Sequence, residues 1–77
     1  MKFEYSFHWK NQKKYRPEIT DDLIELCIRD SKKLKDKHGK DVFNAISRIL
    51  QSGKTLKVVY KEKGENIKRI ITAYWLD

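Results

Sequence analysis

One cysteine, one proline and three glycines are all that this 77-residue chain holds of the residues that staple, break or loosen a backbone. The single thiol, Cys27, excludes an internal disulfide, and its place in an apolar periodic stretch marks it as a small buried hydrophobe. So little proline and glycine argues against a low-complexity or disordered chain. Long hydrophobic runs are missing too. The longest, "IITAYWL", is far short of the roughly 20 residues that span a bilayer. No hydrophobic leader opens the chain, so a reduced cytoplasmic setting is expected.

Metal-ligand spacing is also lacking. His8 and His38 lie thirty positions apart, with one cysteine and no paired-ligand pattern, so no zinc signature exists. No glycine-rich phosphate loop or dinucleotide fingerprint is present, and no cofactor is expected. A Ser-His-Asp hydrolase needs an oxyanion pocket that a chain of this size has little material to build.

What the chain has in excess is positive charge. Eighteen Lys and Arg against eleven Asp and Glu leave a net +7. A fold gains nothing from that excess, which repels itself in the compact state. Its natural use is attraction of a polyanion, nucleic acid being the commonest, or of an acidic protein. An anionic membrane surface would call for a long basic amphipathic helix, which is absent. Length permits one domain, residues 1–77, around one small core.

The alternation in "MKFEY" fits a short strand or an extended lead-in. Ser6 is placed to cap a helix running to about Tyr15, which Pro17 ends by pushing Arg16 out of the helical region. Thr20 predicts the start of a second helix. Asp21 and Asp22 favour its positive end, Leu23, Ile24, Cys27 and Ile28 form its apolar stripe, and Ile19 folds back as a staple on Ile24. "KKLKDKHGK" reads as a connector, with His38 in a turn. "DVFNAISRIL" fits a helix through Val42, Ile46, Ile49 and Leu50, or a strand through Phe43, Ala45 and Ile49. "TLKVVYKEK" and "NIKRIITAYW" predict two strands joined by a turn at "KGEN". Leu56, Val58 and Tyr60 share a face of the first. In the second, simple alternation sets Ile67, Arg69, Ile71, Ala73 and Trp75 against Lys68, Ile70, Thr72 and Tyr74. Both faces of its latter half are apolar or aromatic, which suggests a central or well-covered strand; the alternative is an exposed edge, open to dimerisation or to a partner's strand. The chain is therefore expected to be α+β: two N-terminal helices packed on a three- to four-stranded antiparallel sheet.

Metal-free RNA cleavage suits this inventory. It needs a base for the 2′-hydroxyl proton, an acid for the leaving oxygen and cations for the phosphorane. Histidine serves the first two roles and Lys or Arg the third. On a helix, His8, Gln12 and Arg16 fall at i, i+4 and i+8, one drifting polar stripe. Equally, His8 packs or caps near Trp9, and Lys10, Lys13 and Lys14 form a solvated helix face. Lys32, Lys33, Lys35, Lys37 and Lys40 suit sequence-independent phosphate attraction. Trp9, Tyr15, Tyr74 and Trp75 are either base-stacking surfaces or core. Arg69 belongs at an edge or cleft if its strand face is the inner one, and Thr72 and Tyr74 place two hydroxyls side by side opposite it.

"YSFHWKNQKKYRPEITDDLIELCI" resembles the opening of the small DUF4258-type proteins, in a serine-x-histidine start, a following arginine and an isoleucine before the next helix: Ser6, His8, Arg16 and Ile19. "GKTLKVVYKEKGENIKRIITAYW" is similar to their closing hairpin, with its Leu-basic-Val-Val strand and terminal Ile-Thr-Ala-Tyr strand. That family looks related to RelE/ParE-like and BrnT-like toxins. The resemblance implies a strand for "DVFNAISRIL". It also implies a toxin that cleaves RNA, with ribosome-associated mRNA among the candidate substrates, and an acidic antitoxin covering the basic surface. The site positions it carries over are His8, Arg16, Lys57 and Thr72, with Tyr74 more loosely. Lys10, Lys13, Lys14, Lys32, Lys33, Lys35, Lys37 and Arg69 are the expected nucleic-acid contacts, and monomer and homodimer stay open. The alternatives are a non-catalytic nucleic-acid-binding module and an interaction domain for an acidic protein.

Overall fold

Ser6 is where strand becomes helix. Its hydroxyl accepts a hydrogen bond from the Trp9 backbone N–H at 3.1 Å, capping the helix, and donates to the Ile71 carbonyl, also at 3.1 Å. A computed structural model of the chain describes residues 2–37, 39–64 and 66–76; His38, expected in a turn, lies outside them. Before Ser6 runs strand β1 (Lys2–Tyr5), and after it helix α1 (Phe7–Gln12) and a 3-10 turn (Lys13–Tyr15). Helix α2 (Asp21–Asp30) follows, capped by the Thr20 hydroxyl on Leu23 N–H at 3.2 Å. Strands β2 (Leu34–Lys35), β3 (Val42–Ile49), β4 (Lys54–Glu62) and β5 (Ile67–Trp75) complete the chain.

The fold is α+β with both helices packed on one sheet. The sheet is larger than expected and not wholly antiparallel. Its five strands lie in the order β1-β5-β4-β3-β2, and β1 runs parallel to β5, pairing Lys2–Tyr5 with Ile67–Ile70. Pairing across sixty-five positions leaves no local signature, and the two-residue β2 is too short to show one. Strand β5 is consequently not an edge; β1 and β2 are. "DVFNAISRIL" is a strand, and the helical alternative fails because Leu50 is 86 % exposed while Ala45 and Ile49 are buried.

One face of the sheet carries the core. Ile24, Cys27 and Ile28 of α2, Ile19 before it and Trp9 of α1 bury against Ala45, Ile49, Leu56, Val58, Tyr60, Ile70 and Ala73. The Cys27 sulfur lies 3.5 Å from the Ala45 carbonyl and 3.7 Å from that of Leu56, and burial pushes its thiol pKa up. Tyr60 is pushed up for the same reason, and Tyr5 well above the usual phenol range by burial and by its hydrogen bond to Glu25.

Simple alternation fails in β5. Val59 pairs with Thr72 and Tyr60 with Ile70, so Ile71 is an extra residue, a β-bulge whose carbonyl Ser6 takes up. Beyond it the strand changes phase. Ile70, Ala73 and Trp75 turn to the core side, opposite Tyr60, Val58 and Leu56. Arg69, Thr72 and Tyr74 therefore share the outer face, opposite Lys61, Val59 and Lys57. This corrects the expectation that Arg69 lies opposite the two hydroxyls: one inserted residue reverses every face assignment beyond it.

Candidate functional site

The outer face of the sheet carries no helix, because α1 and α2 both bury their apolar residues on the other side. Its polar and aromatic residues are Arg48 and Asn44 on β3, Lys57 and Lys61 on β4, and Arg69, Thr72 and Tyr74 on β5, interleaved with Val42, Ile46 and Val59.

Gln12, at the end of α1, ties the helix to this face. Its Oε1 accepts hydrogen bonds from the Thr72 hydroxyl at 2.9 Å and from Arg16 Nη1 at 2.5 Å. The carbonyl oxygen of one amide thus holds two of the expected site residues together. Arg16 reaches it from the end of the 3-10 turn, where its backbone leaves the helical region (φ −134°, ψ 59°) ahead of Pro17. Tyr74, two residues after Thr72 on the same face, stands about 7 Å along the strand. Lys57 pairs with Tyr74 across the ladder and sets its ammonium 5.7 Å from the ring centroid, a cation–π contact. Lys57 also lines a shallow depression with Lys35, Asp36, Lys37 and Asn44, and the Asn44 Oδ1 is buried there without a hydrogen-bond partner among the described residues. A basic track therefore crosses the open face from the edge depression that Lys35 and Lys37 border, through Lys57 and Tyr74, to Thr72, Gln12 and Arg16.

Other expected residues lie elsewhere. His8 is exposed in the first turn of α1, one helical turn from Gln12. Its side chain makes no hydrogen bond or ion pair with the described residues. Arg69 shares the outer face but sits beyond the bulge, opposite Lys61. Lys10 is exposed on α1, and Lys13 and Lys14 line a separate depression with Pro17, Ile19, Thr20 and Asp21. Lys32 is exposed before β2. Lys33 is engaged on the core side: it pairs with Glu62 and lies 4.2 Å from the Phe43 ring centroid. Lys68 pairs with the same carboxylate, and the two ammonium groups together pull the Glu62 pKa below its ordinary value.

Among the aromatics, Trp9 is fully buried core, and Trp75 packs partly against it. Tyr15 is 86 % exposed. Gln12 is the site residue that residue types alone under-rated. Its signal was the i, i+4, i+8 spacing with His8 and Arg16.

No cluster of His, Cys, Asp and Glu suited to a metal ion occurs among the described residues, and none of their helices is long and apolar enough to cross a membrane. No protein-family model, curated protein sequence or solved structure matches the chain.

Proposed function

We propose that this protein is an RNA-directed toxin, a metal-independent endoribonuclease that receives single-stranded RNA on the open face of its sheet. The observation that carries this reading is the shared acceptor at Gln12, which draws Arg16 and Thr72 together beside the Lys57–Tyr74 pair. Two cations and two hydroxyls converging at one strand match what a phosphodiester asks of its host. The net charge of +7 supplies attraction over longer range.

In the proposed reaction His8 takes the proton of the ribose 2′-hydroxyl. That oxygen attacks the adjacent phosphorus, forming the O2′–P bond as the P–O5′ bond breaks. Tyr74 gives the leaving 5′-oxygen its proton, leaving a 2′,3′-cyclic phosphate and a 5′-hydroxyl. Arg16 and Lys57 neutralise the phosphorane, and Thr72 positions a phosphate oxygen. An acidic antitoxin in the cytoplasm would cover the basic track.

A second reading, RNA binding without cleavage, has one specific support: no group in the described structure orients the His8 ring, whereas catalytic bases are commonly held by a third group. Labelled RNA incubated in excess chelator separates the two. A product ending in a cyclic phosphate, lost in His8→Ala while binding survives, supports the nuclease. A reversible mobility shift with no product supports the binding module. No shift at all leaves an interaction domain for an acidic protein.

A further inference from the structure

Beside Arg16 a depression is lined by Tyr15, Arg16, Pro17, Glu18 and Trp75. Its composition differs from the basic track: two aromatic side chains and a proline ring surround one carboxylate. Tyr15 is almost wholly exposed, although burying such a ring is ordinarily favourable. Trp75 gives one part of its ring to the core and leaves the rest at this depression. The Lys54 ammonium lies 5.6 Å from the Trp75 ring centroid and 3.8 Å from Glu18 Oε2. One cation thus braces both the aromatic wall and the carboxylate, while Glu18 Oε1 makes no ion pair among the described residues.

We infer that this depression is a nucleobase slot that prefers guanine. The inference rests on the RNA reading of the neighbouring track and adds base selectivity to it. Arg16 provides the continuity, since it lines the slot and also bonds Gln12 beside Thr72. A nucleotide whose phosphate lies at Arg16 has its base beside Tyr15 and Trp75, which line the same depression. Aromatic side chains accept the π-face of any unpaired base. The carboxylate discriminates. It only accepts hydrogen bonds, it repels phosphate, and guanine alone offers two adjacent donors, N1–H and N2–H, on its Watson–Crick edge. Adenine and cytosine present one exocyclic amino group beside an acceptor nitrogen, which a carboxylate opposes.

The test uses uridine heptamers with a central guanine, adenine or cytosine, carrying 2′-O-methyl sugars throughout so that no attacking hydroxyl remains, with binding read by fluorescence anisotropy at fixed salt. The guanine heptamer is expected to bind about tenfold tighter than the others, the discrimination of one bidentate pair. Glu18→Gln, at an exposed position, should reduce that preference below about twofold without weakening the other heptamers. Tyr15→Ala should weaken all of them by a similar factor, through lost stacking. Equal binding of the three heptamers, or a guanine preference that survives Glu18→Gln, overturns the slot and leaves the RNA reading standing. No binding of any heptamer overturns both.

Discussion

Thr72 and Gln12, sixty residues apart in the chain, meet through a 2.9 Å hydrogen bond in which the threonine hydroxyl donates to the amide oxygen that Arg16 also contacts. This contact joins helix to strand exactly where neither element alone would form a site. Gln12→Ala should free both partners, costing about 1 kcal/mol of stability and lowering RNA affinity severalfold. Gln12→Glu keeps an acceptor and should restore the stability but not the affinity, because its carboxylate repels phosphate. Urea denaturation and anisotropy on the same samples check this. An affinity unchanged in Gln12→Ala would show that Arg16 and Thr72 need no such coupling.

Ser6 serves two structures with one hydroxyl, the cap of α1 and the carbonyl of the bulged Ile71. Ser6→Ala removes both, and a loss of about 1–2 kcal/mol is expected, larger than for a cap alone in a peptide host. Because the bulge sets the phase of β5, amide exchange should rise most around Ile70–Ala73. A loss confined to α1 would show that the bulge holds itself.

The Glu62 carboxyl, held below its ordinary pKa by hydrogen bonds from Lys33 and Lys68, makes stability depend on pH. Its folded pKa is lowered, so its contribution is present above the unfolded value near 4.5 and is lost as pH falls through the folded one. Unfolding of wild type and Glu62→Gln should therefore differ most at neutral pH and converge in acid. A constant difference from about pH 7 to about pH 3, across the carboxylate titration, would remove the ion-pair account.

Cys27 is fully buried with a raised thiol pKa, so little thiolate is available. A thiol reagent at mildly alkaline pH should label the native protein only as fast as the core opens, and the rate should accelerate sharply in denaturant. Rapid labelling of folded protein would place α2 less firmly on the sheet than its contacts imply.

Lys35, Lys37 and Lys57 border one depression on the track. If all three neutralise phosphates, replacing each by alanine should reduce the slope of log affinity against log salt by about 0.7 for single-stranded RNA. Lys33→Ala, which removes a side chain already held by Glu62, should leave the slope nearly unchanged. The reverse ranking would move the interface to the other side of the molecule.

Local chemistry made several features legible in the residues themselves. Ser6 and Thr20 cap helices because a short hydroxyl satisfies an orphan N–H within its own turn. Ile24, Cys27 and Ile28 bury together because their spacing follows the helical period, and Leu56, Val58 and Tyr60 because theirs follows the strand period. The excess of positive charge is likewise a property of composition.

Tertiary structure decided the rest. The parallel pairing of β1 with β5 depends on which edge the chain's first residues reach, and no local pattern encodes that choice. The bulge at Ile71 moved Arg69 to the same face as Thr72 and Tyr74, since inserting a single residue inverts a two-residue period. Lys33 and Lys57 are the same residue type in similarly charged surroundings. One is tied to Glu62 on the core side, and the other stands over Tyr74 on the open face. Gln12 became the centre of the site because folding brought Thr72 within hydrogen-bonding distance of its oxygen, and that distance exists only in three dimensions.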